Sequence, residues 1–260
     1  MLDMQEPHLT ILTGASRGLG QSMARQLMAP DRLLLCISRG VDDSLSQLAV
    51  ASGTHLEQWS QDLSDTAEAC ARLERWLHSL HPTGLRSATL INNAGVIPTI
   101  APIGLCPPDE MARALRVGLE APMLLTGAFL RVTGQWVSGG WAGDRKVLNI
   151  SSGLGRRPMA SQSPYCAAKS GLDHFSRCVA LEEGLQPRGA RIVSLAPGVI
   201  DTEMQVQLRA GDAQRFPDLE RFQGLKANGL LASADDAARA VLAFLERPDF
   251  GESPVADIRD

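Results

Sequence analysis

The chain has 260 residues, of which 44% are apolar and 21% charged, and its 25 basic and 29 acidic side chains leave a net charge of −4. That length can bury one substantial core, while the mild acidity excludes a nucleic-acid binder held by a basic stripe. No apolar run nears the roughly 20 residues that span a bilayer, so a membrane partner is not expected either.

The opening Met1-Leu2-Asp3-Met4-Gln5-Glu6-Pro7 lacks the charged-then-apolar order of an export signal, so the expected compartment is the cytoplasm. Leu9-Thr10-Ile11-Leu12 reads as a first strand running into a glycine cluster, with a helix from Leu19 to about Met28 behind it. A second strand covers Arg32 to Ile37, and a helical pattern over 43–52 leads to an alternating third strand, His55 to Trp59. A helix over 66–80, a strand at Ala88 to Ile91 and a long helix over 109–134 follow. Gly134 to Asp144 reads as a loop before the strand Lys146 to Ile150; then come a helix over 164–186, a strand at Arg191 to Leu195, a helix over 234–246 and a short last strand within Pro254 to Ile258. Residues 203–229 are charged, broken by Pro217 and weakly periodic, which predicts a mobile excursion beside the site.

Short apolar strands alternating with helices predict a parallel sheet covered on both faces, a doubly wound α/β fold in a single domain over 1–260. Ligands in such sheets bind beyond the carboxyl ends of the strands, where the strand order reverses. Five cysteines at irregular spacings contain no C-x-x-C pair, and five histidines contain no H-x-x-x-H, so neither a disulfide framework nor a metal site is predicted.

The first strand runs into Thr13-Gly14-Ala15-Ser16-Arg17-Gly18-Leu19-Gly20. Glycines at 14, 18 and 20 let the backbone turn tightly and approach a pyrophosphate, with the helix N-terminus facing the anion. An acidic residue at the end of the second strand would hold the free ribose of NAD, whereas this strand ends Cys36-Ile37-Ser38-Arg39 with no carboxylate before Asp42. Arg39 and Arg17 offer guanidinium forks to a 2′-phosphate, which points to NADP(H); the alternative is that Arg39 is a solvated loop residue. Asp62, with Leu63 beside it, is placed for the adenine edge, and Asn92-Asn93-Ala94-Gly95 closes the fourth strand over the cofactor.

The only tyrosine stands in Tyr165-Cys166-Ala167-Ala168-Lys169, where a spacing of four puts phenol and ammonium on one helix face. A cation there would favour the phenolate and draw the phenol from its usual range near 10 toward neutrality. Ser152, at the end of the fifth strand, can meet the phenol over a carbonyl. The expected chemistry is hydride transfer to a carbonyl carbon, with Tyr165 protonating the oxygen, Ser152 polarising it and Lys169 also holding the nicotinamide ribose.

These segments together, TGASRGLG, NNAG, NISS ending at Ser152, YCAAK and APG, make the sequence resemble the short-chain dehydrogenase/reductase family over residues 9 to 202. The resemblance implies a Rossmann-type sheet of seven strands, a homodimer or homotetramer, and nicotinamide contacts from Pro197, Gly198, Val199, Ile200 and Thr202. One departure stands out. The family commonly has an Asn in the long helix that supports a water linking the lysine to solvent, and Gly118 occupies that place here. The C-terminal third resembles sepiapterin reductases and bacterial benzil-type diketone reductases. That likeness assigns Asp257 to gripping a pterin edge, with Gly198 and Met204 near the substrate; otherwise Asp257 is simply an exposed terminal carboxylate. The expected activity is NADPH-dependent reduction of a vicinal dicarbonyl or α-hydroxyketone, with sepiapterin or a similar pterin the favoured test substrate. The alternatives are a broad diketone reductase with no pterin role and a non-catalytic NADP-sensing regulator.

Overall fold

The structure, a computed structural model, describes residues 7–260, so all but the last residue of the stretch read for an export signal lie outside it. Seven parallel strands form one sheet: β1 (His8–Thr13), β2 (Arg32–Ser38), β3 (His55–Ser60), β4 (Ser87–Asn92), β5 (Asp144–Ile150), β6 (Arg191–Ala196) and β7 (Val255–Asp257). Their order, β3-β2-β1-β4-β5-β6-β7, reverses between β1 and β4. Both faces of the central strands are buried, which is why they read as unbroken apolar runs. On one face Leu9, Ile11, Leu35 and Ile37 pack against α3 (Thr66–Ser79), α5 (Ala121–Ser138) and α6 (Ser163–Gly184) through Leu73, Leu125 and Val179. On the other, Leu12, Leu34 and Cys36 meet α1 (Gly18–Gln26), α2 (Asp43–Ser52) and α9 (Ala234–Leu245) through Met23, Leu45 and Val241. Each such fully buried aliphatic side chain contributes about 1.5–3 kcal/mol.

Three segments differ from the sequence reading. The long helix begins as α4 (Pro108–Leu115), passes through one wide π turn at Arg116–Glu120 and continues as α5 to Ser138, so the connection read from Gly134 is shorter than expected. Trp136 anchors those added turns by packing edge-on against Trp141, whose Nε1 donates to the Leu85 carbonyl at 2.6 Å. Residues 203–229 carry two helices not read from the sequence: α7 (Glu203–Arg209) and α8 (Leu219–Ala227) enclose a small core of Leu208, Phe216, Leu219 and Phe222. That core rests on Ile97, Ile100 and Met159, forming a roof over the carboxyl edge of the sheet. The roof's two ends are laced together: Asp201 N–H donates to Ala232 O, and Ala232 N–H to Val199 O, both at 2.9 Å. No helix among the described residues is long and apolar enough to cross a membrane.

Candidate active site

Where the strand order reverses, a cavity of about 950 Å³ opens beyond the strand ends and under the roof. Its first wall is the glycine loop. Gly14 (φ +71°) and Gly18 (φ +54°) take left-handed conformations, and a Cβ on Gly20 would stand 2.1 Å from the Gly14 carbonyl oxygen. Ala15 N–H donates to Ser38 Oγ at 2.9 Å, which ties the loop to the end of β2. Asn93 ties it to β4: its Nδ2 donates to the carbonyls of Thr13 and Gly14, while Thr13 Oγ1 accepts the N–H groups of Asn93 and Ala94. Helix α1 starts without a side-chain cap, so its first N–H groups find no protein acceptor of that kind.

Every candidate cofactor residue lines this cavity: Gly14, Ser16, Arg17, Gly18, Leu19, Gly20, Arg39, Asp62, Leu63, Asn93, Ala94, Gly95, Pro197, Gly198, Val199, Ile200 and Thr202. A glycine cradle, a free helix start and flanking guanidinium groups suit a dinucleotide diphosphate, so the residues present fit the cofactor class. Asp42, the first carboxylate after β2, is no part of the lining: it caps α2, accepting from Ser44 N–H at 2.9 Å and from Gln21 Nε2 at 2.5 Å. Asp62 is held below the usual carboxylate range, first by the Ser64 backbone N–H and further by the Ser64 hydroxyl, Arg113 and Arg39, against the pull of burial. Arg113, 3.6 Å from that carboxylate, is a lining residue that sequence reasoning missed.

Ser152, Tyr165 and Lys169 converge on the same cavity, Tyr165 and Lys169 from α6 and Ser152 from the end of β5. The Ser152 hydroxyl stands beside the Tyr165 phenol and accepts the Leu154 N–H at 3.2 Å. The expected acidification of the phenol is not what this arrangement produces. Burial pushes Tyr165 up to about 12, with the Ser152 hydrogen bond pulling the other way. Burial also pushes Lys169 down to about 8, opposed by the Asp173 carboxylate. The ammonium is itself stripped of water; its Nζ donates to Ile150 O at 2.7 Å and lies 5.8 Å from the phenol ring centre.

Asp173 is a second residue missed from the sequence. It is buried and accepts from the hydroxyls of Ser151 and Ser194 at 2.6 Å each and from Arg156 Nε at 3.1 Å, fixing the ends of β5 and β6 beside the site. Only its place one helical turn beyond Lys169 could have flagged it. Gly118 lies in the wide turn against Ala168, where a Cβ would stand 3.2 Å from the alanine methyl.

Of the candidate substrate residues, Ser152, Tyr165, Gly198 and Met204 line the cavity and Asp257 does not. The two oxygens of Asp257 are forked by Arg259 Nε and Nη2 at 2.7 and 2.6 Å, with Arg156 at 3.9 Å. Arg259 lines the cavity instead, with Arg157, Met159, Arg221 and Phe222. The sequence offered no signal for these roof and turn residues, because nothing local says which way a surface arginine points.

Residues 8–213 match the family of short chain dehydrogenases. Over 248 residues the chain is 35% identical to a benzil reductase ((S)-benzoin forming) of Bacillus cereus, covering 95% of this chain and 98% of the relative. A sepiapterin reductase of Meriones unguiculatus is 30% identical over 261 residues, covering 96% and 95%. The crystal structure of the KRED1-Pglu enzyme superposes with a TM-score of 0.78 at 27% identity, over 95% of this chain and 99% of that one. Sheet order, glycine cradle and the matched span agree: the chain belongs to the short chain dehydrogenase family, whose members bind nicotinamide cofactors, and is an oxidoreductase of alcohol and carbonyl groups.

Proposed function

We propose that this protein is an NADPH-dependent carbonyl reductase of vicinal dicarbonyls and α-hydroxyketones, with a benzil-type diketone the favoured test substrate. The observation that carries the reading is the convergence of Ser152, a buried Tyr165 and Lys169 on the same cavity as the glycine cradle. Arg17 and Arg39 line that cavity and Asp42 does not, which supports NADP over NAD. When bound, the reduced nicotinamide supplies a hydride to the carbonyl carbon.

The chain's own groups do the rest. Ser152 donates a hydrogen bond to the ketone oxygen and orients it toward the phenol. Tyr165, kept neutral at ordinary pH by its burial, gives its phenolic proton to that oxygen as negative charge develops there. Lys169 Nζ, held against Ile150 O, stabilises the phenolate left behind and is close enough to its own ionisation range to share a proton with it. The roof of α7 and α8 keeps bulk water from the carbonyl. With its anchoring carboxylate already forked by Arg259, the pterin reading has less support than the diketone one.

Replacing the phenol tests this. Tyr165→Phe should lower kcat for benzil by about 10²–10⁴ while the protein still binds NADPH, read from the change in nicotinamide fluorescence. Unchanged benzil turnover in that variant would overturn the assignment.

A further inference from the structure

The carboxylate that opposes the desolvation of Lys169 also grips the segment that carries Ser152. Asp173 stands one turn beyond Lys169 on α6, is 2% exposed, and accepts from three donors on two other parts of the chain. Its Oδ1 takes two serine hydroxyls, Ser151 from the end of β5 and Ser194 from β6, at 2.6 Å each. Its Oδ2 takes Arg156 Nε at 3.1 Å. Ser151 precedes Ser152, and Arg156 closes the short turn that Ser152 opens, so one carboxylate holds the chain on both sides of the Ser152 hydroxyl. The turn is seated directly on α6. Ser170 Oγ donates to Gly155 O at 2.6 Å, and a Cβ on Gly155 would stand 2.9 Å from Asp173 Oδ2 and 3.0 Å from the Lys169 carbonyl oxygen. Arg156 extends the link to β7, where its Nη2 donates to Ala256 O at 2.9 Å.

A buried, fully bonded carboxylate is weak evidence of stability, since an apolar group of similar volume often packs as well. What it supplies in addition is direction and charge. The other elements bring little charge to Lys169. Gly95 follows β4, with its Cβ position 3.9 Å from Nζ, and β5 presents the Ile150 carbonyl. The α6 helix itself carries the Tyr165 phenol, Cys166, Asp173 and an exposed His174. Arg156 is the cation bound to Asp173. Of these groups, only the Asp173 carboxylate works to keep the ammonium protonated.

We propose that Asp173 is a positioning residue for the reduction, setting the Ser152 hydroxyl against Tyr165 and placing a negative charge one helical turn from Lys169. This rests on the reductase reading and deepens it. Since burial draws Lys169 down to about 8 against the pull of Asp173, removing that carboxylate lets the ammonium lose its proton at lower pH.

The test is benzil reduction followed across pH, with rates expressed per NADPH-binding site so that misfolded protein is not counted. Asp173→Asn keeps the shape but offers one acceptor oxygen to three donors. Its kcat should fall by at least about tenfold with KM for NADPH within about twofold of the parent, as expected for lost hydrogen bonds to a charged group. Its alkaline limb should move by about one pH unit toward acid. Arg156→Gln should lower kcat by about threefold or more while its limb stays in place or moves toward alkali, because the carboxylate no longer shares its charge with a guanidinium. A merely structural clamp would reduce the number of binding sites in both variants and leave their kcat and their limbs unchanged. An unmoved limb in Asp173→Asn, or a kcat within about twofold of the parent, would overturn the proposal and spare the reductase reading. If Asp173→Asn does not fold, Arg156→Gln decides: an unchanged kcat, or a limb displaced toward acid, would overturn the proposal. A parent protein that reduces no benzil would overturn both.

Discussion

Lys169 is a charge that the folded protein holds at a loss. Its ammonium is buried and its pKa falls from the ordinary 10.5 to about 8, because the Asp173 carboxylate and the single bond to Ile150 O do not replace its water shell. At about 1.4 kcal/mol per tenfold change, that displacement destabilises the cofactor-free fold by about 3 kcal/mol at neutral pH. The sign follows from proton binding. Below pH 8 both folded and unfolded lysines are protonated and the full penalty applies; between 8 and 10.5 the folded form has lost its proton first, and the penalty fades as pH rises. Lys169→Met keeps the length and removes the charge. Losing the bond to Ile150 returns about 1 kcal/mol, so the variant should be more stable than the parent by about 2 kcal/mol at pH 7, with no advantage left near pH 10. Urea denaturation of the two cofactor-free proteins at both pH values measures this, and ketone reduction should be lost throughout. A variant no more stable than the parent at pH 7, or an advantage that does not shrink with pH, would refute the account of a strained, desolvated lysine.

Arg39→Ala should cut the preference for NADPH over NADH by about 10- to 100-fold, read from KM for each cofactor, because Arg39 lines the cavity where the nearest downstream carboxylate, Asp42, does not. An unmoved ratio would return Arg39 to the status of a solvated loop residue. Gly118→Asn should leave turnover within a few-fold. Its Cβ would press on the Ala168 methyl at 3.2 Å, and such overpacking costs about 1–3 kcal/mol, so the melting temperature should fall by several degrees. Complete loss of activity would mean that the proton path to Lys169 runs past this glycine.

The strands were legible because a buried parallel sheet leaves no polar alternation: Arg32 to Ile37 and Lys146 to Ile150 could be placed to within about two residues. The glycine loop and the Tyr165–Lys169 pair were legible because backbone turns and helical spacing are local properties. What depends on distant partners was not. Helices α7 and α8 are short and half polar, and their apolar faces make sense only against Ile97, Ile100 and Met159. The end of α5 hinged on Trp136 finding Trp141, while Gly134 suggested an earlier stop. The pairing of Asp257 was hidden for a local reason, since an arginine two residues on folds back onto it. The ionisation of Tyr165 was misjudged because spacing gives adjacency to a cation but says nothing of how dry both groups become.

The lacing of Val199 and Asp201 to Ala232 has an evolutionary corollary. A segment whose entry and exit are bolted side by side is a cassette, and lengthening or replacing it alters chain-closure entropy only slowly, by about 0.6 kcal/mol per doubling. Since its apolar nucleus leans on Ile97, Ile100 and Met159, a transplant over 203–231 that keeps those contacts and leaves Ile200 and Thr202 in place would leave the hydride and proton machinery in register. Selectivity in this protein can therefore be rebuilt by exchanging one contiguous stretch of chain, with the sheet serving as an unaltered chassis.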